Sequence, residues 1–81
     1  MTENERQAFR RKVKHLMIDT GVKQRDIQDE VNRMRERANK KTISEAFISK
    51  IVNGDKSPTI EVLAAMSKCF KVTIDELVKA E

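Results

Sequence analysis

Apolar residues recur along this chain at intervals of three and four, and that rhythm predicts helices almost throughout. From Glu3 to Ile18 the positions Phe9, Val13 and Leu16, with Met17 beside them, mark one face of a first helix. Gly21 ends it, because glycine enters the left-handed backbone region without steric cost. A second helix starts near Gln24, where Ile27, Val31, Met34 and Ala38 continue the spacing. It is expected to run to Ala38 or Asn39, through the strongly charged stretch "NRMRERANKK" at residues 32–41.

Three more helices are predicted downstream. Thr42 and Glu45 have the spacing of a capping box, and Ser44 competes with Thr42 as the N-cap of the third. Ile43, Phe47, Ile48, Ile51 and Val52 supply its buried side, and Asn53-Gly54 stops it before the polar link "DKSP". Thr59 caps a fourth helix, with Val62, Leu63, Met66, Cys69 and Phe70 facing inward. Thr73 and Glu76 form a second capping box, opening a short fifth helix that carries Ile74, Leu77 and Val78. The expected fold is all-α, a compact orthogonal five-helix bundle in a single domain over residues 1–81. At this length the core is only just large enough to fold unaided.

Composition narrows the classes. Phe9, Phe47 and Phe70 are the only aromatics, and Gly and Pro together number three, so β-sandwiches and barrels are disfavoured. No apolar run approaches the ~18 residues of a membrane span. The opening "MTENERQAFRRK" lacks the apolar stretch of a secretory signal. A lone Cys69 allows no intrachain disulfide and fits a reducing, cytoplasmic setting. The net charge of +4 is unevenly spread: residues 1–42 hold twelve Lys/Arg against seven Asp/Glu, and residues 43–81 hold five against six. A one-sided basic surface is the footprint of a nucleic-acid or anionic-membrane partner, although Lys and Arg also simply keep small domains in solution.

A helix, a connection and a second short helix inside a small basic bundle suggest helix-turn-helix DNA binding. The segment "SEAFISKIVNG" at residues 44–54 resembles the recognition helix of the phage-repressor and Cro type family, the lambda-repressor-like (XRE) helix-turn-helix proteins. Residues 57–77, "SPTIEVLAAMSKCFKVTIDEL", are similar to the two family helices that follow, and "TGVKQRDI" is similar to the family's glycine turn and helix-two start. The resemblance covers about residues 9–78. Gln28 stands where the family usually has Ala, the family's Gly–aliphatic–Ser turn is missing, and Lys71 occupies a common C-cap Gly position. From Gln24 to Ile48 is 24 residues, about ten more than is usual in the family it resembles. The surplus is essentially residues 32–41.

With Phe47, Ile48 and Ile51 turned inward, Glu45, Ala46, Ser49 and Lys50 are left to face out, and the resemblance implies that these positions, with Ser44 at the helix start, reach bases. The chemistry suits the major groove: Lys to guanine O6 and N7, Glu to cytosine N4, Ser to either strand, Ala to a thymine methyl. Gln24, at a helix N-terminus, suits a phosphate, and Asn53 and Lys56 suit the opposite flank. Asn53 and Lys56 also read as ordinary turn residues, and the outward residues as a solvated helix face. Arg33, Arg37 and Lys41 are the candidates for gripping backbone from the charged stretch, with Arg35 pointing elsewhere and Glu36 spaced to pair with Lys40. Alternatively, these cations only offset the dipole of a helix end.

His15 and Cys69 have no visible partners, and no zinc spacing, phosphate-cradling Gly-rich loop or nucleophile motif occurs, so neither an enzyme nor a cofactor is expected. The leading expectation is a sequence-specific regulator of transcription, a repressor of phage or mobile-element type, bound as a homodimer to a two-fold double-stranded DNA operator. Leu77 and Val78 are the candidate dimer contacts if not wholly buried. The competing class is a protein-interaction module, antitoxin-like or polymerase-recruiting, with a regulatory protein partner. Non-specific binding to RNA or a membrane is weaker, since no aromatic stacking residue lies on the outward face.

Overall fold

The computed structural model describes residues 1–79, among which five α-helices and no strand occur. In α1 (Glu3–Thr20), Thr2 is the N-cap. Its hydroxyl accepts the Glu5 N–H at 3.2 Å, and Glu5 Oε1 accepts the Thr2 N–H at 2.9 Å. This reciprocal capping box is spelled Thr-x-x-Glu in the chain but lies ahead of the first apolar residue, outside the hydrophobic rhythm. The helix runs two residues beyond Ile18, whose side chain is 81% exposed, and ends at Gly21 with φ 75°.

In α2 (Gln24–Arg37), Ile27 and Val31 are fully buried and Met34 is partly so. Ala38 is the C-cap and is exposed, so the apolar stripe ends one step earlier than its spacing suggests. Asn39 takes a left-handed φ of 58°, and residues 40–44 lead back with no helical or strand assignment.

The next three helices are α3 (Glu45–Val52), α4 (Ile60–Phe70) and α5 (Ile74–Val78). Ser44, Thr59 and Thr73 start them, their hydroxyls accepting the N–H of Phe47, Val62 and Glu76 at 3.3, 3.3 and 3.1 Å. Ser44 therefore wins over Thr42, which lies in the lead-in before α3, and the Thr42–Glu45 box does not form. At Thr73 only the hydroxyl half of the expected box is present. Lys71 closes α4 in the left-handed region at φ 58°, its N–H donating to Ser67 O. That backbone costs a non-glycine residue up to about 1 kcal/mol relative to glycine.

The core joins all five helices: Phe9 and Val13 from α1, Ile27 and Val31 from α2, Ile48, Ile51 and Val52 from α3, Val62, Leu63, Ala65, Met66 and Phe70 from α4, and Leu77 from α5. Fully burying such an aliphatic side chain contributes about 1.5–3 kcal/mol, so α3 is anchored by three of its eight residues. α2 packs against both α3 and α4, while α1 crosses α3, α4 and α5. Of the two candidate dimer contacts on α5, Leu77 is buried and Val78 stays 42% exposed, with Ile74 exposed at 37%.

Two contacts set where α1 lies. Gly54, just past α3, is buried at φ 79°, and a side chain there would come within 3.3 Å of the Arg6 carbonyl oxygen. Glycine thus lets the exit of α3 lie against the α1 backbone, where Arg6 Nε donates to Gly54 O at 3.2 Å. At the other end Lys12 Nζ donates to the carbonyls of Glu76 and Lys79 at 2.9 and 2.8 Å, meeting the C-terminal end of α5 with a positive charge.

Candidate nucleic-acid interface

Because Ile48, Ile51 and Val52 are buried, the remaining sides of α3 face out. Glu45, Ala46 and Lys50 are exposed, and Ser49 is half-buried. Ser44 is exposed too, with its hydroxyl engaged in the cap. Phe47 lies at the boundary, half-buried, and Lys56 Nζ sits 4.8 Å from its ring centroid in a cation–π contact. That contact holds an exposed cation from the α3–α4 link beside α3.

At the exit of α3, Asn53 Nδ2 donates to Ser49 Oγ at 3.2 Å and Asn53 Oδ1 accepts from Lys14 Nζ at 2.9 Å. Lys14 is not among the residues that the sequence singles out. The signal for it is the i, i+4 recurrence of Arg6, Arg10 and Lys14 on α1, which aligns them on one face. Gly54 brings that face to the end of α3, with Arg6 and Arg10 within 3.3 Å of where its side chain would begin. Gln24 opens α2, half-buried, at a helix start whose first N–H groups have no intrahelical acceptor.

The charged stretch divides into three parts. Arg33 Nη1 meets Glu30 Oε2, and Lys68 Nζ from α4 reaches Glu30 Oε1 at 2.8 Å. Glu30 is only 6% exposed, a buried acid that no sequence pattern marks. The Lys68 hydrogen bond foremost, with the positive charges of Lys68, Arg33 and Arg37, holds its carboxyl below the usual range despite burial. Arg33 is therefore turned to Glu30, not extended beside Arg37.

Asn32 and Arg35 serve the return segment. Asn32 Oδ1 accepts the Ile43 N–H at 2.7 Å, and Asn32 Nδ2 donates to Ile43 O at 3.2 Å. Gln28 Nε2 donates to the same carbonyl at 3.3 Å. Arg35 donates through Nε to Lys41 O and through Nη1 to Glu61 Oε1 of α4, the latter at 2.8 Å. Arg37, Lys40 and Lys41 remain exposed, and among the described residues none meets an acid at ion-pair distance. The expected Glu36–Lys40 pair is not formed.

The arrangement is that of a helix-turn-helix with a lengthened arm: a short, buried-on-one-side α3 held across α2, followed by two packed helices. The sequence model described as Helix-turn-helix matches residues 21–77. The chain belongs to the lambda-repressor-like helix-turn-helix family. That family consists of DNA-binding regulators, and the matched residues 21–77 make up the helix-turn-helix domain of this member. The match begins at the turn glycine and takes in α2, α3, α4 and most of α5, leaving α1 with Lys14 outside it. Neither the curated proteins nor the solved structures give a match. No helix among the described residues is long and apolar enough to cross a membrane.

Proposed function

We propose that this helix-turn-helix chain is a sequence-specific regulator of transcription, a repressor of phage or mobile-element type, that acts as a single domain and binds a two-fold double-stranded DNA operator as a homodimer. The observation that carries the reading is α3: eight residues, anchored on one side by Ile48, Ile51 and Val52, with Glu45, Ala46 and Lys50 exposed on the other. An α-helix is about 10–12 Å across with its side chains and so fits the roughly 12 Å width of the major groove. Lys50 donates to guanine, Glu45 and Ser49 test neighbouring edges, and Ala46 touches a thymine methyl. Ser44 contributes mainly by starting the helix.

Gln24 takes a phosphate on one flank. Asn53, Lys14 and Lys56 take the other, their side chains already oriented by hydrogen bonds and the Phe47 ring. Arg37 and Lys41 hold backbone beside α3, whereas Arg33, matched to Glu30, contributes little. One short helix buries too little surface for tight binding alone, which favours two copies on one operator. With Leu77 buried, Ile74 and Val78 supply the apolar part of the dimer contact. The phage or mobile-element setting rests on the family resemblance.

The test is Lys50→Ala, assayed on the preferred DNA sequence and on its single base-pair variants. The variant should lose about 1–3 kcal/mol and relax preference at one base pair. Equal weakening on every sequence would make Lys50 a phosphate contact and remove the base-reading role from α3.

A further inference from the structure

An extended chain points alternate carbonyls to the same side, while a helix aligns residues four and three apart on one face. The inserted arm brings these two periodicities together. Gln28, Asn32 and Arg35 share a face of α2, and their side chains reach Lys41 O and both backbone groups of Ile43. The segment before α3 thus docks on helix side chains in place of a strand. Asn32 is central, since its amide both donates to and accepts from one residue, as a β-partner would. Ile43 directly precedes Ser44, the N-cap of α3, so its peptide is the last fixed point before the helix that faces DNA.

We propose that Asn32, backed by Gln28 and Arg35, is a positioning residue that sets the pose of α3 and thereby determines sequence selectivity. The inference rests on the proposed reading of α3. The resemblance implies close helix–helix crossing at the position of Gln28, and here a longer side chain stands there and is used. Three directional hydrogen bonds to one residue's backbone fix translation and angle more tightly than apolar packing, which tolerates sliding. Arg35 extends the same constraint to α4 through Glu61, so one side chain of α2 ties the lead-in to α4. None of the three residues needs to touch DNA. Without the clamp the cations of the surface stay in place, but α3 meets the groove in several poses.

The experiment compares the full chain with Asn32→Ala, Asn32→Asp and Gln28→Ala. Three readouts are taken: affinity for the selected DNA sequence, affinity for scrambled duplex of the same length, and hydrogen exchange of the Ile43 amide without DNA. Asn32→Ala should expose the Ile43 amide to exchange and lower the specific-to-scrambled affinity ratio at least ten-fold, with scrambled-duplex affinity within two-fold of wild type. Asn32→Asp keeps the acceptor of the 2.7 Å bond but turns an acceptor oxygen toward Ile43 O in place of the donor, and should recover part of the Ile43 protection and part of the ratio. Gln28→Ala removes one of two donors to Ile43 O and should give a smaller fall; it carries the comparison if Asn32→Ala does not fold. An unchanged ratio in a selective wild-type background overturns the positioning role alone, as does a parallel fall on both duplexes. A wild-type chain that selects no sequence overturns both this inference and the proposed function.

Discussion

At Glu30 a single carboxylate ties two helices together with no periodicity to announce it. It lies between Lys68 of α4 and Arg33 of its own helix, 6% exposed, and joins α2 to α4 beside the apolar core. Its carboxyl is held below the usual range, so the folded state binds this proton more weakly than the unfolded chain, whose Glu titrates near pH 4.3. The stabilisation is complete above that pH and is lost as pH falls through the lowered folded value. Both cations are more than half exposed, which limits the pair to about 1 kcal/mol. Glu30→Gln should therefore lower unfolding free energy by about 1 kcal/mol at pH 7, and by less at a pH below the ordinary glutamate range, where the native carboxyl takes up its proton. Urea titrations at the two pH values check this, and a gap independent of pH would assign Glu30 a packing role only. At the same scale Cys69 is chemically quiet: it packs at the core edge, and burial pushes its thiol upward, away from thiolate reactivity.

Among the elements, those with an apolar stripe are legible in the sequence almost to the residue. The spacing predicts α2 from Gln24 to Ala38 or Asn39, and it runs to Arg37; the difference is a fraying end whose last apolar residue, Ala38, has nothing to bury against. Thr59 and Thr73 are readable because a hydroxyl three residues before an orphan N–H has one strong local use. Ser44 over Thr42 is not decidable locally, since the winner depends on where the lead-in is tied, and Asn32 ties it at Ile43. The outward residues of α3 are legible, because burial of Ile48 and Ile51 leaves them no other direction. Lys14 is legible only as a member of the aligned Arg6, Arg10 and Lys14 face of α1, because its place beside Asn53 depends on the crossing of α1 with α3. The charged arm is half legible: its helical character follows from Ile27, Val31 and Met34, but which arginines pair inward depends on Glu30 and Glu61, residues outside the stretch. This division yields a prediction for the arm as an element. Arg37→Ala with Lys41→Ala should flatten the log–log salt dependence of DNA affinity by about 0.9 for each phosphate no longer neutralised, with sequence preference unchanged. Arg33→Ala, assayed in parallel over a salt series, should leave the slope nearly as it was. A double variant with the wild-type slope would make Arg37 and Lys41 solvated bystanders.

Over the whole molecule, a basic first half and a nearly neutral second half fold into one bundle with a radius of gyration of 11.8 Å. The second half supplies α3, α4 and α5 and the larger share of the core, while the first supplies α1, α2 and most of the positive charge. On the proposed reading, basic residues from α1 and from the arm flank α3, which itself carries a single lysine. Such a layout separates long-range attraction, which brings any duplex close, from short-range reading by α3. A chain this small gains affinity and symmetry together when two copies share one site. The most direct test of that account is selection of duplex DNA from a random pool with the full chain, followed by footprinting on the enriched sequence. The account predicts a palindromic consensus with half-sites spaced by about one helical turn and two protected segments. Failure to enrich any sequence, with capture of a protein partner in its place, would contradict it.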